Sequence, residues 1–130
     1  MSPGGITHLD YTVILCSRLA ETRAFYTGIM GFAVAEDRPN WVSFRLGATL
    51  LTLRPRTAWS VCDDGPLPRG TAAVQLAFRV PLDAIDAWHS ALVERGVPIL
   101  RPPTDLPHWR HRTLFFRDPE DNILELYAEY

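Results

Sequence analysis

Apolar and polar positions change period along the chain in an order that is then repeated. Leu9 to Cys16 is an unbroken β-branched and apolar run, which predicts a strand buried on both faces. Ser17 is a helix N-cap candidate. Leu19, Ala20, Ala24, Phe25, Ile29 and Met30 follow at helical spacing, and Gly31 ends the helix. Phe32 to Ala35, Trp41 to Leu46 and Ala48 to Arg54 then read as three strands, turned at Pro39-Asn40 and Gly47. The first half is βαβββ.

Pro55 to Gly70 carries three prolines and two glycines and reads as a connecting loop. Ala72 to Val80 is a strand. Leu82 to Arg95 is a helix with Ile85, Trp88, Leu92 and Val93 on one face, closed by Gly96. Val97 to Leu100 is a strand, the proline-rich Arg101 to Arg110 a loop, and Thr113 to Phe116 and Asn122 to Tyr127 the last strands. The second half is βαβββ again.

The halves can be laid on each other. Tyr11 falls on Gln75, Phe25 on Trp88, Gly31 on Gly96 and Thr52 on Glu125. A two-fold repeat of about half the chain is too long for a solenoid. It predicts one α+β domain over residues 1–130, with units at 1–55 and 72–130 and a linker at 56–71. Each unit forms a curved half-sheet with a helix outside. Neither buries its inner face alone, so the two are expected to pair and enclose a cleft.

Composition narrows the function classes. The chain has 130 residues, 47% of them hydrophobic, which suffices for a core. A net charge of −2 speaks against a nucleic-acid surface. All 13 basic residues other than histidine are arginine, so Schiff-base and lysine-base chemistry is absent. Cys16 and Cys62 have no CxxC partner, which leaves no zinc ribbon or thioredoxin motif. No run is long and apolar enough for a signal peptide or a membrane span, so a cytoplasmic protein is expected. GxSxG, GxGxxG, P-loop and HExxH motifs are missing.

Two stretches carry a family resemblance. Leu9-Asp-Tyr-Thr-Val-Ile-Leu15, with Phe25-Tyr26 and Ile29-Met-Gly-Phe32 after it, resembles the opening of the glyoxalase/bleomycin-resistance/dioxygenase (vicinal oxygen chelate) superfamily. Arg117-Asp-Pro-Glu-Asp-Asn-Ile-Leu-Glu-Leu126 is similar to that superfamily's closing signature. The resemblance covers nearly the whole chain. It implies the glyoxalase/bleomycin resistance/dihydroxybiphenyl dioxygenase fold, but it does not single out an activity, because the superfamily hosts several.

In metal-dependent members four side chains chelate one divalent ion. By resemblance those positions are Tyr11, Thr52, Gln75 and Glu125, where only Glu125 keeps the usual ligand. Tyrosine ligates poorly until deprotonated, and neutral Thr and Gln offer weak dipoles. No cofactor is therefore expected. A competing metal set would use His8, His108 and His111. His108 and His111 fall in a predicted loop, where their spacing fixes no common face, and both read as solvated. His8 is expected on the side of its strand opposite Tyr11.

Strand alternation predicts the inner face. Tyr11, Trp41, Arg45, Thr52, Arg54, Gln75, Arg79, Glu125 and Tyr127 are expected on it, with Trp59 and Trp109 at the rim. Such a polar floor with aromatic and arginine walls suits a flat organic ligand. Glu125 is the strongest single candidate, as a ligand acceptor, a counter-charge or a general base. Its structural alternative is a carboxylate paired with Tyr11 or an arginine. The expected function is metal-independent binding of a small aromatic molecule, of the kind that confers antibiotic resistance by sequestration. The alternative is a lyase or isomerase that uses a degenerate metal site, or Glu125 with Tyr11. A cleft serving only a partner protein is a third reading. The expected assembly is a homodimer.

Overall fold

The computed structural model describes residues 3–57 and 65–130. The chain divides into two compact units, Met1–Gly65 and Pro66–Tyr130. The division falls within the predicted linker. Trp59 and Cys62 lie outside the described residues.

In the first unit β1 (Tyr11–Cys16) leads into α1 (Leu19–Ala24), and β2 (Val34–Arg38), β3 (Trp41–Leu46) and β4 (Thr49–Pro55) follow. The sheet order is β1-β4-β3-β2, with β1 parallel to β4 and the other neighbours antiparallel. Ile14, Val42, Phe44, Leu51 and Leu53 are buried on one face. Phe25 and Tyr26 from the helical segment are buried too, the Tyr26 ring 6.0 Å from that of Phe44. Large apolar side chains buried in this way each contribute about 1.5–3 kcal/mol.

Three expectations for this unit need correction. The first strand is not buried on both faces: Leu9 is exposed, and burial alternates from Tyr11 onward. β1 lies at a sheet edge with the apolar core on one side, so only one parity is covered. The single helix over Leu19 to Met30 is an α-helix that passes into a π-helical turn at Phe25–Ile29. Thr27 Oγ1 donates to the Arg23 carbonyl at 2.9 Å. That back-bond and the poor helix propensity of Thr27-Gly28 weaken the α ladder where it gives way. The N-cap is Arg18 rather than Ser17, with no side-chain capping bond.

The second unit repeats the pattern. β5 (Gln75–Arg79), α2 (Ile85–Glu94), β6 (Ile99–Leu106), β7 (His111–Arg117) and β8 (Ile123–Glu129) give a sheet of order β5-β8-β7-β6. The register repeats as well. Val13 pairs with Thr52 as Ala77 pairs with Glu125, and Tyr11 pairs with Leu50 as Gln75 pairs with Ile123. The equivalence of Tyr11 with Gln75 and of Thr52 with Glu125 is therefore built into the sheets. On α2, Ile85 and Leu92 are buried and Trp88 half-buried, whereas Val93 is exposed and lies off the expected face.

The main departure is the expected loop from Arg101 to Arg110. Its first six residues are strand, and β6 runs to Leu106 with register shifts at Arg101 and before Thr104. Pro102 and Pro103 lie within those shifts, on the outer strand of the sheet, where a missing N–H breaks no ladder. β7 consequently starts at His111, two residues before the predicted Thr113.

Candidate functional site

Each sheet has a second face, opposite its buried apolar side, and the expected site residues of the strands lie there. In the second unit, the pairings Ala77 with Glu125, Phe115 with Glu125, Arg79 with Tyr127 and His111 with Glu129 put all of these side chains on one face, together with Gln75. β8 runs down the middle of the sheet, so Glu125 is flanked on both sides by ladder neighbours. One is a methyl group and the other a phenyl ring. These neighbours explain the electrostatics of the carboxyl. Burial raises its pKa above the ordinary glutamate value, and the nearby His111 and a hydrogen bond from the Gln75 side-chain amide pull it partly back.

Beside this carboxyl the His111 ring stacks on Tyr127, with centroids 4.6 Å apart and planes at 27°. His111 Nε2 lies 3.8 Å from Glu129 Oε1, and Arg79 Nη2 is 3.0 Å from Glu129 Oε2. Gln75, His111, Glu125 and Tyr127 thus combine a flat aromatic surface with one half-buried carboxyl. Replacing Gln75 with Leu removes a donor to that carboxylate. The Glu125 pKa is then expected to move further upward in a carboxyl-carbon NMR titration, and a downward move would contradict the arrangement.

Sequence reasoning missed His111. Read as a solvated loop residue, it is in fact the first residue of β7, and its side chain is three-quarters covered. The signal was present: His111, Thr113, Phe115 and Arg117 alternate with Arg112, Leu114 and Phe116, and Leu114 and Phe116 are fully buried. The two prolines upstream hid it. His108 is exposed in the turn before β7, as expected. His8 precedes β1 and is exposed, 3.5 Å from Asp10, so strand parity does not apply to it.

In the first unit Tyr11 is exposed at the start of β1, and its ring meets that of Trp41 edge-on at 6.3 Å. The two rings reach each other across β4, on the face that carries Thr52. Thr52 itself is buried, and its hydroxyl shares a 2.7 Å hydrogen bond with Ser43. Arg54 Nη1 donates to the Pro55 carbonyl at 3.2 Å, and Arg45 is exposed. Trp109 projects from the β6–β7 turn and is 69% exposed.

The metal positions implied by the resemblance can be tested against this chemistry. Thr52 is committed to Ser43, the Gln75 amide donates to Glu125, and Tyr11 offers only a phenol oxygen. One anionic oxygen among four side chains falls short of the three or four good donors that a resident divalent ion requires. Among the described residues no other cluster of three His, Cys, Asp or Glu side chains forms. The residues present do not fit that ion.

Comparison with known proteins agrees with the architecture. The protein YraH of Bacillus subtilis is 25% identical over 118 residues, covering 88% of this chain and 92% of YraH. A glyoxalase/bleomycin resistance protein/dioxygenase from Nocardioides superposes with a TM-score of 0.80 at 23% identity, covering 97% of this chain and 85% of its own. A lactoylglutathione lyase from Agrobacterium tumefaciens gives a TM-score of 0.75 at 21% identity, with coverage of 98% and 96%. The family model described as Glyoxalase/Bleomycin resistance protein/Dioxygenase superfamily matches residues 8–126. With the strand order, the repeated register and a match of that extent in agreement, this chain belongs to the glyoxalase/bleomycin resistance protein/dioxygenase superfamily.

Proposed function

We propose that the protein binds a small aromatic molecule without a metal, on the face of the second sheet that carries Glu125. The observation behind this is the pairing of the His111–Tyr127 stack with a half-buried carboxyl on the same face. The stack offers an aromatic ligand a flat partner, and the carboxyl fixes its orientation by accepting a hydrogen bond. The donor chemistry at Tyr11, Thr52 and Gln75 supports a metal-free mode. The expected result is saturable quenching of tryptophan fluorescence by 2-quinolinone, a neutral bicycle with an N–H to donate to the carboxylate, in the presence of a chelator. Binding that appears only when a divalent ion is added would overturn the reading.

A second reading draws on one specific feature. The carboxyl of Glu125 has a pKa raised by burial, which makes its anion a stronger base, and His111 lies on the same face. On that reading Glu125 takes a proton from a carbon acid and returns it to a neighbouring atom, as in an isomerase or lyase. Deuterium exchange into a bound carbonyl compound, lost in Glu125→Gln, would favour it over sequestration.

A further inference from the structure

At the far end of the same face, the β6–β7 turn folds against the end of β8. Trp109 N donates to the Leu106 carbonyl, Arg110 N to that of Pro107, and Tyr130 N to that of Arg110 at 2.9 Å. A shallow groove of about 550 Å³ results, lined by Arg79, Trp109, Arg110, Glu129 and Tyr130. Its cations are not equivalent. Arg79 is held by Glu129 at 3.0 Å, whereas Arg110 has no carboxylate within ion-pair reach among the described residues. Arg110 therefore gives the groove a guanidinium that no side-chain carboxylate among the described residues matches.

Arg110 is also costly where it stands. Its φ is 54°, in the left-handed region that Gly or Asn occupies at lower cost. A bulky cation at a strained turn position, beside an exposed tryptophan, serves no packing purpose visible in the fold. Strain of this kind concentrates where a side chain has work to do with a ligand.

We infer that this groove is an anion subsite, and that the aromatic ligand carries a carboxylate which Arg110 receives while the ring lies on the His111–Tyr127 stack. Glu129 lines the groove with Arg110 and lies 3.8 Å from His111 Nε2, so the groove adjoins the stack. Glu125, four residues before Glu129 on β8, is about 13 Å up the strand and receives the ligand's opposite, hydrogen-bond-donating end. The planar guanidinium fork matches a carboxylate through two parallel bonds. The inference rests on the proposed function, because it assigns the ligand of that same face.

The test compares 2-naphthylacetate with its uncharged amide by titration calorimetry, with 2-quinolinone as the neutral reference. The acid is expected to bind about tenfold more tightly than the amide. Arg110→Gly should bring the acid down to the level of the amide, leave the amide unchanged and not lower Tm, since glycine relieves the positive φ. Glu129→Gln should tighten binding of the acid. If amide and 2-quinolinone bind but the acid binds no more tightly, the anion subsite is wrong and the aromatic site stands. Loss of acid and amide binding together in Arg110→Gly would also overturn the subsite, by making the role of Arg110 steric. If none of the three compounds binds, the aromatic site falls along with it.

Discussion

Asp118→Ala is expected to destabilise the protein by about 3 kcal/mol or more, and to lower Tm by roughly 10 °C. Asp118 is buried in the turn between β7 and β8. Its Oδ1 accepts hydrogen bonds from the backbone N–H groups of Glu120 at 2.9 Å and Asn122 at 3.0 Å, and its Oδ2 accepts from the Asn122 side-chain amide at 3.0 Å. Alanine strands donors of the buried Asn122, and each unsatisfied buried group costs about 1–3 kcal/mol. The damage should also reach the site. Asn122 Oδ1 accepts from Val74 N at 3.2 Å, and Ile123 N donates to the Val74 carbonyl. These bonds set β5 in register beside β8 and bring Gln75 alongside Glu125. Thermal unfolding checks the first effect. A Glu125 pKa that rises in Asp118→Asn, the gentler variant, checks the second.

Glu125→Gln is expected to weaken binding of an aromatic ligand by tenfold to a hundredfold while stabilising the free protein at neutral pH. The loss of affinity follows from exchanging a charged acceptor for a neutral one, worth about 1.5–3 kcal/mol. The gain in stability follows from the direction of the pKa shift. Burial makes the charged carboxylate costlier in the folded protein than in the unfolded chain, so the folded state holds its proton to higher pH. Wherever the native state binds more protons, stability falls as pH rises. The penalty therefore grows from the unfolded carboxylate value of about 4.3 up through the raised folded value, and is fully present above that. The Tm advantage of the variant should be absent near pH 4 and present at pH 7. An advantage that shrinks as pH rises would show that Glu125 is stabilised as the anion by a structural partner, and the ligand role would fall with it.

Part of the site could be read from the chain because strand parity is local. Once Trp41, Ser43 and Arg45 are placed on one side of β3 and Val42 and Phe44 on the other, the buried set identifies itself by chemistry. The same logic put Glu125 and Tyr127 on one face of β8. His111 escaped because Pro102 and Pro103 read as loop residues. Only their position on an outer strand, at register shifts, makes them compatible with β6 and moves the start of β7. Thr52 was recognised by position, but not its bond to Ser43, since that depends on the register between β3 and β4.

The two βαβββ units and the alternation of their strands were legible in the chain, and its opening and closing motifs carried the resemblance to the family. The units and the alternation follow from side-chain chemistry and from periods of 2 and 3.6 residues, which belong to the local backbone. The tertiary structure alone decided which strands are outer ones and where the helix gives way to a π turn. It also decided which neighbours desolvate Glu125, and that Arg110 takes a left-handed φ beside Trp109. Those features depend on cross-strand register and on groups brought together from distant parts of the chain. Burial, ion pairing and backbone strain are properties of such assembled neighbourhoods, so no single stretch of sequence carries them.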